Sequence, residues 1–257
     1  MVLIMAYIEI RTPQKFTNPE GLIALPDLTS GLLLDLDADT LTGDHGAEVS
    51  RWEAGGSYGA VLGTIAGSGY GFTYPTLETN GPNGHQSVAF NGEQSIASGW
   101  GDPVMLAPNQ PATAVVVYAD RGSDRDGGRI LSGQNPTEDY RNIRHYGRQF
   151  ATRFRYGTSP ESSAALPSDL VDGEWGVYVV RWGEGVGRVD ASTGESATAT
   201  GDVGSINGVF VGSTSGGQQT LKGSVARIQV FDREFSDTDT AAMLSHMGIR
   251  YGIPITT

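Results

Sequence analysis

Between Tyr140 and Tyr156 the chain places Arg141, Arg144, His145, Arg148, Arg153 and Arg155, with no acidic residue among them. One third of the protein's arginines fall in this stretch, interleaved with Tyr140, Tyr146, Phe150, Phe154 and Tyr156. A guanidinium grips carboxylates and phosphates through its planar fork and stacks on aromatic or sugar faces. Two functional readings follow: a surface for an acidic glycan, or a contact for an acidic patch on a neighbouring subunit. The plain alternative is charge balance on an otherwise acidic surface, worth little per ion pair.

A second group is Asp35, Asp37 and Asp39, which project from one side of a strand end, with Asp44 close by in sequence. Hard oxygen ligands of this kind suit Ca2+. The EF-hand pattern fails, because Thr40 stands at the turn-glycine position and Gly46 at that of the bidentate glutamate. The alternative is that these aspartates are solvated or hold turn N–H groups. Catalytic patterns are sparse. No Glu-x-Asp-x-x-Glu strand supplies paired carboxylates for glycoside hydrolysis, and no Gly-x-Ser-x-Gly elbow presents a nucleophile. His145, Tyr146 and Arg148 are the residue types of a lyase site, but they come from one short segment. The expectation is a protein that is not an enzyme.

Composition narrows the classes further. The 257 residues contain no cysteine, which removes disulfides and thiolate metal sites. A formal net charge of -12, with Lys15 and Lys222 as the only lysines, argues against nucleic acid or an anionic membrane as partner. No stretch approaches the roughly 20 apolar residues of a membrane span. The opening run Met1 to Ile8 is apolar but lacks a basic flank and meets Glu9 and Arg11 at once, which suits a strand or docking arm better than a signal peptide.

These side chains must be positioned by strands. Thirty-seven glycines and twelve prolines suit short strands joined by tight turns. Residues 1–30 read as an arm broken by Thr12-Pro13, Asn18-Pro19 and Leu25-Pro26, and residues 31–257 as the domain. Leu34, Leu36 and Ala38 alternate with the three aspartates. Ser87 to Gly92 predicts a strand entering an Asn-Gly hairpin turn, and Thr113 to Tyr118 a strand buried on both faces. Along Gln149 to Tyr156, Phe150, Thr152, Phe154 and Tyr156 take one face, leaving Arg153 and Arg155 together on the other. Glu174 to Trp182 and Val186 to Asp190 flank a Gly183-Glu184-Gly185 turn. From Ser224 to Phe231 the chain alternates again, and Ser236 with Asp239 predicts a capped helix over 236–247.

The order of Leu36-Asp37-Ala38, Trp52, Pro75-Thr76-Leu77, Val88 to Gly92, the apolar strand at Val115, the Trp175 strand and Phe231 to Ser236 before the helix resembles the concanavalin A-like (laminin G-like) domains of bacteria and phages. The resemblance covers about residues 31–253 and implies an all-β jelly roll of two antiparallel sheets about 10 Å apart, with an N-terminal arm and one C-terminal helix. Trp52, Phe90, Trp175, Val177, Val179 and Phe210 are then candidates for the core. Such domains bind glycans, bind proteins, cleave polysaccharides or coat particles. The reading adopted is a phage virion protein (head decoration, spike or minor tail component) that docks on other virion proteins through the arm and displays the basic cluster to acidic cell-surface glycans. The alternative is a free carbohydrate-binding module, with a polysaccharide lyase or hydrolase third.

Overall fold

The computed structural model describes residues 28–63, 73–98, 102–122, 128–133, 139–213 and 219–256. The arm, expected over 1–30, therefore lies almost wholly outside the described residues, as do the glycine-rich stretches around Gly67 and Gly216. What is described is an all-β sandwich with one helix after the last strand. Strands are numbered in chain order.

Sheet one runs β15 (Ser196–Thr200), β14 (Val186–Ala191), β13 (Trp175–Gly183), β8 (Ala112–Asp120), β18 (Lys222–Phe231), β5 (Ser87–Asn91) and β4 (Thr76–Glu78). A further strand, β1 (Leu32–Asp37), pairs with the second half of β18, whose first half pairs with β5. Sheet two runs β12 (Ser162–Ala165), β11 (Gln149–Arg155), β10 (Tyr140–Tyr146), β9 (Arg129–Ser132), β17 (Phe210–Val211), β6 (Ile96–Ala97), β3 (Val61–Gly63) and β2 (Arg51–Glu53). A small ribbon joins β7 (Val104–Leu106) to β16 (Ile206–Asn207). Every pairing within the sheets is antiparallel.

Sheet one is covered on both faces, which explains the unbroken apolar run of β8. Ala114, Val116 and Tyr118 point between the sheets, whereas Val115 and Val117 point toward helix α1 (Asp237–Tyr251). The same parity places the three expected core residues of β13: Val177 and Val179 are buried as expected, but on the other face of the sheet, toward the helix, and Trp175 is only partly buried. The β13 residues between the sheets are Tyr178, Val180 and Trp182. Trp182 is wholly buried and its Nε1 donates to Thr152 Oγ1 of sheet two at 3.0 Å. The Tyr178 ring stacks on Phe150, centroids 3.9 Å apart. Trp52, Phe90 and Phe210 are buried as expected.

Two turns show what glycine does here. The loop joining β13 to β14 is the two-residue Glu184-Gly185, and Gly185 takes φ 70°, open to glycine at no steric cost. At Gly212, φ is 92° and a side chain would drive into the Phe90 ring. Asn91-Gly92 does not close a hairpin. Gln94 Oε1 accepts from Asn91 N at 2.8 Å, and the chain crosses from β5 in sheet one to β6 in sheet two. The predicted helix is present with its capping box, Ser236 accepting from Asp239 N and the Asp239 carboxylate from Ser236 N. It runs one turn beyond the predicted end, to Gly252 in the left-handed region.

Candidate functional site

The basic cluster occupies the β10–β11 hairpin, whose register decides where each side chain goes. Arg141 pairs with Phe154, Ile143 with Thr152 and His145 with Phe150. Directly paired antiparallel residues share a face. Ile143, Phe150 and Phe154 belong to the core between the sheets, so Arg141 and His145 point inward with them. The outer face carries Tyr140 with Arg155, Asn142 with Arg153, and Arg144 with Ala151. Arg148 sits in the two-residue turn after Tyr146 and is exposed. The six residues expected to form one surface are thus divided between the core, the outer face and a turn.

Arg141 is a structural clamp. Fully buried, it donates from Nε to Gly204 O at 2.7 Å, from Nη1 to Gln110 O at 2.9 Å and from Nη2 to Ala107 O at 2.6 Å, with Trp182 5.4 Å below its guanidinium carbon. Burial pushes its pKa down to about 9, so it stays charged at neutral pH. His145 is also fully buried, and neither ring nitrogen has a hydrogen-bond partner. Its Nδ1 lies 3.6 Å from Asp120 Oδ1, which accepts from the Tyr118 hydroxyl at 3.2 Å. Burial, helped by the charge of Arg144 and opposed by Asp120, pushes its pKa down to about 4. His145, Tyr146 and Arg148 therefore do not converge: the first faces the core, the second faces out and the third caps the turn.

The outer face gathers residues that the sequence reading did not include. Arg129 of β9 stands opposite Arg144, and its Nη1 donates to Asn142 Oδ1 at 2.5 Å. Arg144 Nε donates to His145 O at 2.9 Å. Both arginines are buried, whereas Arg153 and Arg155 are only partly so. Glu161, just before β12, holds Arg153 and the Tyr140 hydroxyl with its two oxygens. The Nε groups of Arg153 and Arg155 are shielded yet have no hydrogen-bond partner. Chemically, the spare donors of this arginine strip are those of Arg153 and Arg155, and a guanidinium pair of this kind suits a carboxylate, sulfate or phosphate. Nothing local in the sequence marked Arg129 or Glu161, because both reach the strip through pairing with other strands.

The aspartates are engaged by cations of the fold. Asp35 accepts from Arg227 Nε at 2.8 Å and Nη2 at 2.6 Å. Arg250 Nη2 bridges Asp37 at 2.8 Å and Asp39 at 2.9 Å. Burial alone would raise the Asp39 carboxyl, but the Gln86 N–H, His85 and Arg250 outweigh it and hold it below the ordinary range. Asp44 is exposed on a loop. Instead of the expected Ca2+ cage, Asp35, Asp37 and Asp39 form an ion-pair network tying β1 to β18 and to the end of α1. Among the described residues, no group of three or more His, Asp or Glu side chains is arranged to hold a metal ion.

No protein-family model matches this sequence, and no curated protein matches it significantly. Solved structures share its fold. Domain 4 of AbnA, a GH43 extracellular arabinanase from Geobacillus stearothermophilus solved in complex with arabinotriose, aligns over 83% of this chain and 98% of its own, with TM-score 0.58 and 14% identity. The binding domain of Paraclostridial Mosquitocidal Protein 1 aligns over 84% of this chain and 52% of its own, with TM-score 0.57 and 9% identity. The sialidase of Trypanosoma rangeli aligns over 94% of this chain at TM-score 0.57 and 15% identity, but this chain spans only 37% of that enzyme. At these identities the likeness is one of fold: the chain has the concanavalin A-like, laminin G-like β-sandwich.

Proposed function

We propose that this chain is a non-enzymatic carbohydrate-binding module that takes an acidic glycan on the outer face of sheet two, at Arg153 and Arg155. The observation that carries the reading is the pair of shielded, unpartnered Nε donors on neighbouring outward positions of one strand. An unmade hydrogen bond of a charged group is expensive; a ligand carboxylate would engage the partly exposed guanidinium groups and, with a turn of the side chains, complete the bond at Nε. Two of the fold relatives support the module reading by what they are, one a domain solved with arabinotriose and one the binding domain of a mosquitocidal protein. The virion reading has no counterpart among the three relatives, and the arm on which it leaned lies almost wholly outside the described residues.

The test is a calorimetric titration of trigalacturonic acid and sialyllactose into wild type and the Arg153→Ala, Arg155→Ala double variant. Stability should change by about 1 kcal/mol or less, as for partly exposed charges. The dissociation constant for the acidic sugar should rise at least about tenfold, the loss of one good interaction. The ratio should be larger at low salt, where screening is weaker. Equal binding by both proteins would refute the assignment.

A further inference from the structure

At one end of the sandwich a cleft of about 210 Å³ opens between the β12–β13 connection, the start of β13, the β14–β15 turn and the tail after α1. Its walls are fixed by the backbone. Ser192 Oγ accepts from Val177 N at 3.2 Å, Ser192 O accepts from Thr256 N at 2.8 Å, and Leu170 N donates to Arg148 O at 2.8 Å. Half-buried Trp175 lines the cleft, and Asp169, Glu174 and Glu195 are its carboxylates. No Lys, Arg or His is among its described lining residues. Burial, and then the charges of Glu174, Asp120 and Glu195, hold the Tyr178 phenol well above its ordinary pKa, so it remains an O–H donor.

We infer that this cleft is a second carbohydrate site, of opposite charge preference to the arginine strip, which holds a neutral polyhydroxylated sugar ring against Trp175. Ionised carboxylates only accept hydrogen bonds, so the ligand must bring donors, as sugar hydroxyls do. Three carboxylates with no cation among them repel the uronates and sialates that the arginine strip would attract. An indole face covers the C–H face of a sugar ring by apolar contact. A quaternary ammonium would want several aromatic walls, whereas the aromatic residues lining this cleft are Trp175 and Tyr178 alone, and one face of Tyr178 is stacked on Phe150. The volume is below the roughly 300–1,000 Å³ of sites that engulf a drug-sized ligand. One ring fits inside, and the rest of an oligosaccharide leaves through the mouth.

Calorimetry with arabinotriose, maltotriose and cellotriose as neutral probes, trigalacturonic acid as the anionic probe and choline as the cationic one tests the inference. The wild type should bind at least one neutral trisaccharide. Trp175→Ala should weaken that binding at least about tenfold, with partial recovery in Trp175→Phe. The Asp169→Asn, Glu174→Gln double variant alters two exposed residues and should also lose about tenfold, which keeps the test open if Trp175→Ala fails to fold. Arg153→Ala with Arg155→Ala should leave neutral binding unchanged. The inference is overturned if no neutral trisaccharide binds at about 10 mM, a limit of weak affinity. It is equally overturned if Trp175→Phe and the carboxamide variant both bind like wild type, or if choline is preferred. Loss of anion binding alone would count against the arginine strip and leave this site standing.

Discussion

His145 gives the molecule a pH dependence that can be measured. Its imidazole is buried beside Asp120, Tyr118 and Arg144, and its pKa is pushed down to about 4, whereas an unfolded histidine titrates near 6.5. Between those values the unfolded chain binds the proton and the folded one does not. The stability contributed by neutral His145 is therefore complete above about pH 6.5 and is lost as pH falls toward about 4. The loss amounts to at most about 3 kcal/mol. Urea melts at pH 7 and pH 4.5 should show a clear drop in the wild type and a much smaller one in His145→Phe. Equal drops would mean that the ring is protonated in the folded state. The side-chain alternation of Gln149 to Tyr156 was legible in the sequence, and Arg153 and Arg155 do share the face opposite Phe150, Thr152 and Phe154. Grouping Arg141 with Arg144 was the error. Three positions apart on a strand, two side chains point to opposite faces, so neighbours in sequence became neighbours in space only half of the time.

At the scale of elements, β18 holds the least legible feature. Val225 pairs with Tyr118 and Arg227 with Val117, leaving Ala226 as an extra residue. Because of this bulge, Val225, Ile228 and Val230 all face the core between the sheets, while Ala226 and Phe231 face the helix. Strict alternation, as read from Ser224 to Phe231, would have put Val225 on the face opposite Ile228 and Val230. Val225→Ala should therefore lose about 2–3 kcal/mol, as for a truncated side chain between the sheets. Deleting Ala226 leaves Val225 and Arg227 against the successive residues Tyr118 and Val117, so both halves of β18 keep their faces and the loss should stay near about 1 kcal/mol, like that of Ala226→Gly. A deletion that costs more than Val225→Ala in urea melts would show that the bulge itself is required. Strands were legible because alternation is local. Their partners were not, since the register that sets Arg129 against Arg144, or sends β5 on to β6 in the other sheet, depends on residues far away in the chain.

For the molecule as a whole, the central claim is that an acidic protein of net charge -12 offers Arg153 and Arg155, each with an unpartnered Nε, to an acidic glycan. The surrounding negative charge sharpens selectivity, because an anionic ligand is favoured only where the arginines stand. Arg141 is an internal control: its Nε already donates to Gly204 O, whereas those of Arg153 and Arg155 have no partner. The most direct measurement follows the arginine Nε–Hε resonances by NMR during a titration with trigalacturonic acid. The account predicts saturable shifts at Arg153 and Arg155, with slower exchange of both protons with water, and no change at Arg141. Saturable binding that leaves Arg153 and Arg155 unmoved, or no binding at millimolar ligand, would contradict it.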